Sequence, residues 1–169
     1  VPNRGAVVRV PSPWEVREAY AVRAELEALA AVLSVSNASR EDLQRLREAN
    51  QAMYDRSIAE RDAASTAAVD SRRENDVFHS TIAELSGNSR LARSIEEINE
   101  TFPRNVSAQL LVNDSRHRDE NFAEHERILA ALRAAAADAA AEEMRVHVIK
   151  AGDALARWYE QRSSTVFSG

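Results

Sequence analysis

The sequence contains no cysteine, which excludes disulfide bonds and thiolate metal sites. Any metal ion must therefore be held by nitrogen and oxygen ligands. Glycine and proline number only four each, and this scarcity favours helix throughout the chain. No apolar run approaches the roughly 20 residues that a membrane span requires, and no signal peptide is recognisable. The protein is therefore expected to be cytoplasmic, without a membrane partner.

Aromatic residues are also scarce, at 5% of the chain, and positive charge does not predominate, since the formal net charge is −5. A domain with this balance is a poor candidate for binding DNA or RNA by itself. The length of 169 residues suits one well-filled domain and is short for two.

The first eleven residues differ in pattern from the rest. A Pro-Asn-Arg-Gly turn over residues 2–5 precedes a β-branched run over residues 7–10, which is a turn-and-strand signature. Two interpretations are open: a simple tail, or the last piece of a β-wing whose parent domain is missing. Residues 12–169 are predicted to form one helical domain.

Capping residues predict where the helices begin. Ser12, Pro13 and Glu15 form a capping-box pattern that starts a first helix, whose apolar stripe continues to about Val35 and includes Leu29 and Leu33. A second helix is predicted from Ser39 to near Glu60, with Asp42 as the capping partner of Ser39. A third helix begins between residues 65 and 70 and ends at Leu85.

Two further signals shape the second half of the chain. Gly87 is placed to end the third helix in a left-handed conformation, and Asn88 can cap a fourth, which Pro103 kinks or divides. A fifth helix is predicted over about 119–135, and a sixth after Asp138 to about Arg162. The predicted fold is an all-α antiparallel bundle of six to seven helices.

Three histidines fall on core-facing positions of three predicted helices. Asn75 and His79 are four residues apart and share one helix face, while His125 and His147 lie on the apolar stripes of later helices. Each histidine could be a hydrogen-bonded core residue. A shared divalent ion would instead satisfy all three buried imidazoles at once. His117, in a polar stretch, is expected at the surface.

Asp76 competes with Asn75 as a ligand, because a carboxylate binds cations better than an amide. Consecutive helical residues point about 100° apart, so that both cannot face one ion. The spacing to His79 favours Asn75. Phe78 is expected to pack into the core beside His79.

Neutral protein ligands would leave a bound cation with its full charge, and Arg23 could add a further positive charge nearby. A dry pocket with that field favours an anion, most naturally a carboxylate that also coordinates the metal. The alternative for Arg23 is an ordinary solvated surface arginine.

Five short segments, in this order, carry a family resemblance: R-A-E-L-E-A-L-A-A over residues 23–31, N-D-V-F-H over 75–79, S-G-N over 86–88, E-H with I-L over 124–129, and M-R-x-H over 144–147. Together they resemble the C-terminal effector domain (the FCD domain) of the GntR superfamily of bacterial transcription regulators, in the subgroup of the fatty-acid-responsive regulator. Residues 3–6 resemble the wing end of the winged helix-turn-helix domain that precedes it. Ser89 and Pro103 depart from the family pattern.

The resemblance implies that Asn75, His79, His125 and His147 are metal ligands and that Arg23 contacts an acidic effector. It implies a ligand-sensing homodimer that reaches DNA only through the missing winged helix-turn-helix domain. The expected ion is zinc, with nickel or manganese as alternatives. A metal-dependent hydrolytic enzyme is the alternative function, because an ion with open positions can activate water.

Overall fold

Seven helices make up the part of the chain that the computed structural model describes, namely residues 11–62, 70–102 and 104–166, without the side chains of 70–74, 104–105 and 163–166. They are α1 (Pro13–Ser34), α2 (Arg40–Asp62), α3 (Asp70–Leu85), α4 (Ser89–Thr101), α5 (Arg104–Asn113), α6 (Ser115–Arg133) and α7 (Ala137–Val166). No strand occurs within these ranges, and the prediction of an all-α bundle of six to seven helices is confirmed. The predicted wing remnant lies outside the described residues.

The predicted capping residues begin three of the helices. Ser12 Oγ accepts from the Glu15 amide at 3.2 Å while the Glu15 carboxylate accepts from the Ser12 amide at 2.9 Å, which is the reciprocal capping box. Ser39 and Asp42 repeat the arrangement at the start of α2. Asn88 Oδ1 accepts from the Leu91 amide at 3.1 Å. Local sequence thus fixes these helix starts.

The middle of the chain differs from the expectation in detail. The predicted fourth helix is divided: α4 ends at Thr101 and α5 begins at Arg104, where Pro103 stands in the sequence outside the described residues. The helix predicted from about residue 119 begins earlier, because Asp114 Oδ1 accepts from the His117 amide at 3.0 Å and caps α6. Asp138 lies in the first turn of α7 and does not precede it.

The pairing of α1 with α7 is the most extensive helix contact in the bundle. At Gly152 of α7 the two helices pack tightly, since an added Cβ would lie 2.5 Å from Tyr20 Cβ of α1. The apolar stripe predicted for α1 does not face the core along its whole length, since Leu29 and Leu33 are 46% and 36% exposed. Periodicity predicts an apolar stripe but not how much of it neighbouring helices cover.

Among the described helices, none is both long and apolar enough to cross a membrane.

Candidate metal centre

Three histidines from three helices meet in the interior of the bundle. His79 on α3, His125 on α6 and His147 on α7 are 5%, 0% and 2% exposed. The Nε2 atom of His147 lies 3.2 Å from Nε2 of His79 and 3.2 Å from Nε2 of His125. The three potential ligand atoms all lie within 4.8 Å of one another. This grouping is close enough for one metal ion to bind all three rings.

Two buried glutamates determine which ring nitrogens carry hydrogen. Nδ1 of His79 contacts Oε2 of Glu27, and Nδ1 of His147 lies 2.9 Å from Oε2 of Glu124. Burial raises the pKa of both carboxyl groups, but their basic and histidine neighbours outweigh it and bring each pKa below its usual value. Both carboxylates are therefore ionised and can only accept. Nδ1 of each histidine is the donor, and in the neutral form of the ring Nε2 keeps its lone pair.

The third histidine is oriented by an amide. Nδ2 of Asn50 donates to the carbonyl of Phe122 at 3.3 Å and to Glu126 Oε1 at 2.9 Å, which fixes the amide orientation. Oδ1 of Asn50 then accepts from Nδ1 of His125 at 3.0 Å. The ring of Phe78 stacks on that of His125 with centroids 3.9 Å apart. Phe78 is fully buried, as the sequence predicted.

Two of these rings are held in the neutral form at ordinary pH. Burial lowers the pKa of His125 well below its usual value, and the neighbouring His147 and His79 lower it further. Burial also lowers the pKa of His147, although the hydrogen bond that its Nδ1 donates to Glu124 acts in the opposite direction. When all three rings are neutral, the converging Nε2 lone pairs have no hydrogen between them and repel one another, so the arrangement favours a cation among them.

A fourth potential metal ligand lies in the same region. Oδ1 of Asn75 is buried and has no hydrogen-bond partner among the described residues. Asn75 lines a cavity together with His79 and His147, whereas Asp76 lines a separate groove between α3 and α4. An orphaned amide oxygen beside converging imidazole nitrogens fits a divalent cation with nitrogen and oxygen ligands. The donor set is therefore chemically suited to the implied metal.

This central cavity has a volume of about 50 Å³. Its lining combines polar and apolar side chains: Tyr20, Arg23, Asn75, His79, Ser107, Leu110, Leu111, His117, Asn121, His147, Val148 and Ala151. About 10–15 Å³ of such space holds one water molecule, so the cavity admits a ligand of only a few heavy atoms.

Arg23 is buried at the edge of the cavity, and its interpretation as a solvated surface residue is wrong. It is 9% exposed, its Nε donates to Glu27 Oε1 at 2.5 Å, and its guanidinium lies 5.1 Å from the centroid of the Tyr20 ring. Burial lowers the pKa of Arg23, but Glu27 and Tyr20 outweigh that and raise it, so the side chain stays charged. Glu27 therefore contacts both Arg23 and His79.

His117 differs from its expected surface position. It is half-buried and lines the central cavity with Asn121, which follows it by one turn of α6. Burial lowers the pKa of His117. His117 belongs to the wall of the cavity, although it is not a member of the histidine cluster.

Sequence reasoning did not assign a role to Glu27, Asn50 or Glu124. A signal was present, because each is a polar residue on the buried face of its helix, among apolar residues. Such residues almost always have a partner when they are buried. What the sequence lacked was the identity of the histidine partner, which lies on another helix in each case.

In a comparison with known protein families, the model of the FCD domain matches residues 18–150. This range includes the three histidines, Asn75 and Arg23. None of the curated proteins matches the chain significantly.

Proposed function

We propose, from the premise that this chain belongs to the FCD domain family, that it is the effector-sensing domain of a bacterial DNA-binding transcription regulator. One observation carries the proposal: three convergent histidine nitrogens and the orphaned Asn75 oxygen lie beside a small cavity that also contains the Arg23 cation. Such a site binds a small anion and needs no reaction to do so.

In this proposal Asn75, His79, His125 and His147 hold a divalent ion, zinc in the first instance, with nickel or manganese as alternatives. When bound, the ion supplies a positive charge that neutral ligands do not offset. Glu27, Asn50 and Glu124 hold the three rings so that each Nε2 faces inward.

The proposed effector is a small carboxylate. Arg23 stays charged and lines the cavity, so that it offers a cationic donor to a carboxylate oxygen. The cavity volume of about 50 Å³ favours acids of a few carbons over long chains.

Carboxylate binding is proposed to change the geometry of a homodimer. The preceding winged helix-turn-helix domains of a cytoplasmic regulator would then bind two DNA half-sites with altered spacing. This is tested by measuring operator affinity of the zinc-loaded, full-length regulator with a series of small carboxylic acids. At least one acid should change the affinity by about fivefold or more. Unchanged affinity with every acid that binds the protein would refute the regulatory function.

A metal-dependent hydrolase is the second candidate, and the lining of the cavity favours the sensor. Among the described residues that line the cavity, none carries a carboxylate. Glu27 and Glu124 each accept from a histidine Nδ1, and Glu143 accepts from Arg127. The test is to incubate the zinc-loaded protein with carboxylic esters and to measure the release of acid. Metal-dependent release would support the enzymatic function.

We predict that Glu124→Gln weakens zinc binding about 10- to 100-fold, the usual cost of losing a partner that orients a ligand. Glutamine keeps the size of the side chain but presents a weaker acceptor to Nδ1 of His147. Competition with a chromophoric chelator measures the dissociation constant. Glu142→Gln is the matched control, because Glu142 is exposed and pairs with Arg145. Equal constants for both variants would contradict the orienting role.

The choice between Asn75 and Asp76 gives a second prediction. Asn75→Ala is expected to weaken zinc binding by about tenfold or more, since a lost ligand costs no less than a lost partner of a ligand. Asp76→Ala should leave zinc affinity unchanged, because Asp76 lines a different groove. The same chelator competition decides between them, and the opposite ranking would show that the carboxylate is the ligand.

A further inference from the structure

A second orphaned oxygen lies in the wall of the central cavity. Asn121 is 7% exposed, and its Oδ1 is buried with no hydrogen-bond partner among the described residues. It stands on α6 one turn before His125 and one turn after His117. A buried acceptor left without a donor is unfavourable, and native proteins rarely retain one without a reason. A donor supplied by a ligand in the cavity would satisfy it.

We propose that Asn121 is a specificity-determining residue that accepts a hydrogen bond from a hydroxyl group of the bound acid. The site then prefers hydroxycarboxylates over carboxylates that lack the hydroxyl. This inference rests on the proposed carboxylate-sensing function and adds the chemical class of the ligand. It also assigns to α6 a ligand contact separate from its histidine.

The charges around the cavity distinguish a hydroxyl from an ammonium donor. Arg23 is a buried cation in the cavity wall, and the histidine cluster is arranged for a second cation. An ammonium group would be repelled by both, because like charges interact strongly in a poorly solvated interior. A neutral hydroxyl donates the same hydrogen bond without that repulsion.

The small volume of the cavity sets the size of the probes. Acetate and glycolate have two carbons each and differ by one hydroxyl, so they test that group with little change in bulk. The hydroxyl of glycolate can also coordinate a metal, which would favour glycolate even without Asn121. The test must therefore compare ratios of affinity between variants.

The experiment is calorimetric titration of the zinc-loaded full chain with glycolate and with acetate. In the unmodified protein, glycolate should bind more tightly than acetate. Asn121→Ala should reduce the ratio of glycolate affinity to acetate affinity by about tenfold. That reduction measures the contribution of the hydrogen bond between Asn121 and the hydroxyl group. Metal coordination contributes equally to both ratios and cancels in the comparison.

Two further variants complete the test. Asn121→Asp keeps an acceptor oxygen, so it should retain the glycolate preference while its charge changes the affinity for both acids together. Asn113→Ala, at an exposed asparagine outside the cavity, should leave both affinities unchanged. Zinc content and circular dichroism confirm that each variant is folded and loaded.

The possible outcomes distinguish a failure of the Asn121 hydroxyl contact from a failure of the proposed carboxylate-sensing function. If Asn121→Ala weakens both acids by the same factor, or leaves both unchanged, the hydroxyl contact is refuted while carboxylate binding stands. If neither acid binds the zinc-loaded unmodified protein, the carboxylate-sensing function fails at this site and the inference fails with it.

Discussion

His147→Ala is expected to abolish stoichiometric zinc binding. His147 lies at the centre of the cluster, since its Nε2 is 3.2 Å from both other Nε2 atoms. A ligand that binds only the folded state stabilises it by about 4 kcal/mol at 1,000 times its dissociation constant. For a chain of this length that corresponds to a zinc-induced rise in Tm of about 8–16 °C. The variant should lose this rise, as measured by thermal unfolding with and without added zinc.

His117→Ala is the matched control for this loss. His117 lines the same cavity but is not part of the three-histidine group. Its variant should keep both the zinc content and the zinc-induced rise in Tm. The comparison uses the rise and not the absolute Tm, because removing His147 also leaves Glu124 without one of its partners. A full zinc-induced rise in His147→Ala would contradict the metal centre.

Gly152→Ala is expected to destabilise the fold by about 1–3 kcal/mol, the usual cost of overpacking a core. At an exposed helix position the same change would stabilise the fold by up to about 1 kcal/mol. The sign of the change in unfolding free energy therefore shows whether the position is tightly packed. The new Cβ would lie 2.5 Å from Cβ and 2.6 Å from Cγ of Tyr20, on the helix α1 that packs against α7. Urea unfolding at fixed zinc concentration measures the change.

A double-mutant cycle with Tyr20→Ala provides the control. Truncation of Tyr20 removes the atoms that the new methyl group would meet, so Gly152→Ala should cost little in that background. An equal cost in both backgrounds would mean that the helix contact is not its origin. A stabilising effect in the unmodified protein would show that α1 and α7 separate easily at this point.

The local features of this protein follow from neighbouring residues along the chain and could be predicted before the fold was known. Ser12 and Asn88 cap their helices as predicted, because a cap depends on residues within one turn. The placement of Asn75 and His79 on one face follows from helix geometry alone. The family resemblance, carried by short ordered motifs, agrees with the match over residues 18–150. These inferences required no knowledge of how the helices pack.

Contacts between residues on different helices could not be predicted in this way, because they depend on how the helices pack. Glu27 on α1 orients His79 on α3, and Asn50 on α2 orients His125 on α6. Helical periodicity shows which residues share a face, but the partner of a face depends on the packing of the whole chain. The same reason explains why Leu29 is exposed although it continues an apolar stripe. The histidines were visible in the sequence, whereas the hydrogen bonds that turn their Nε2 atoms inward were not.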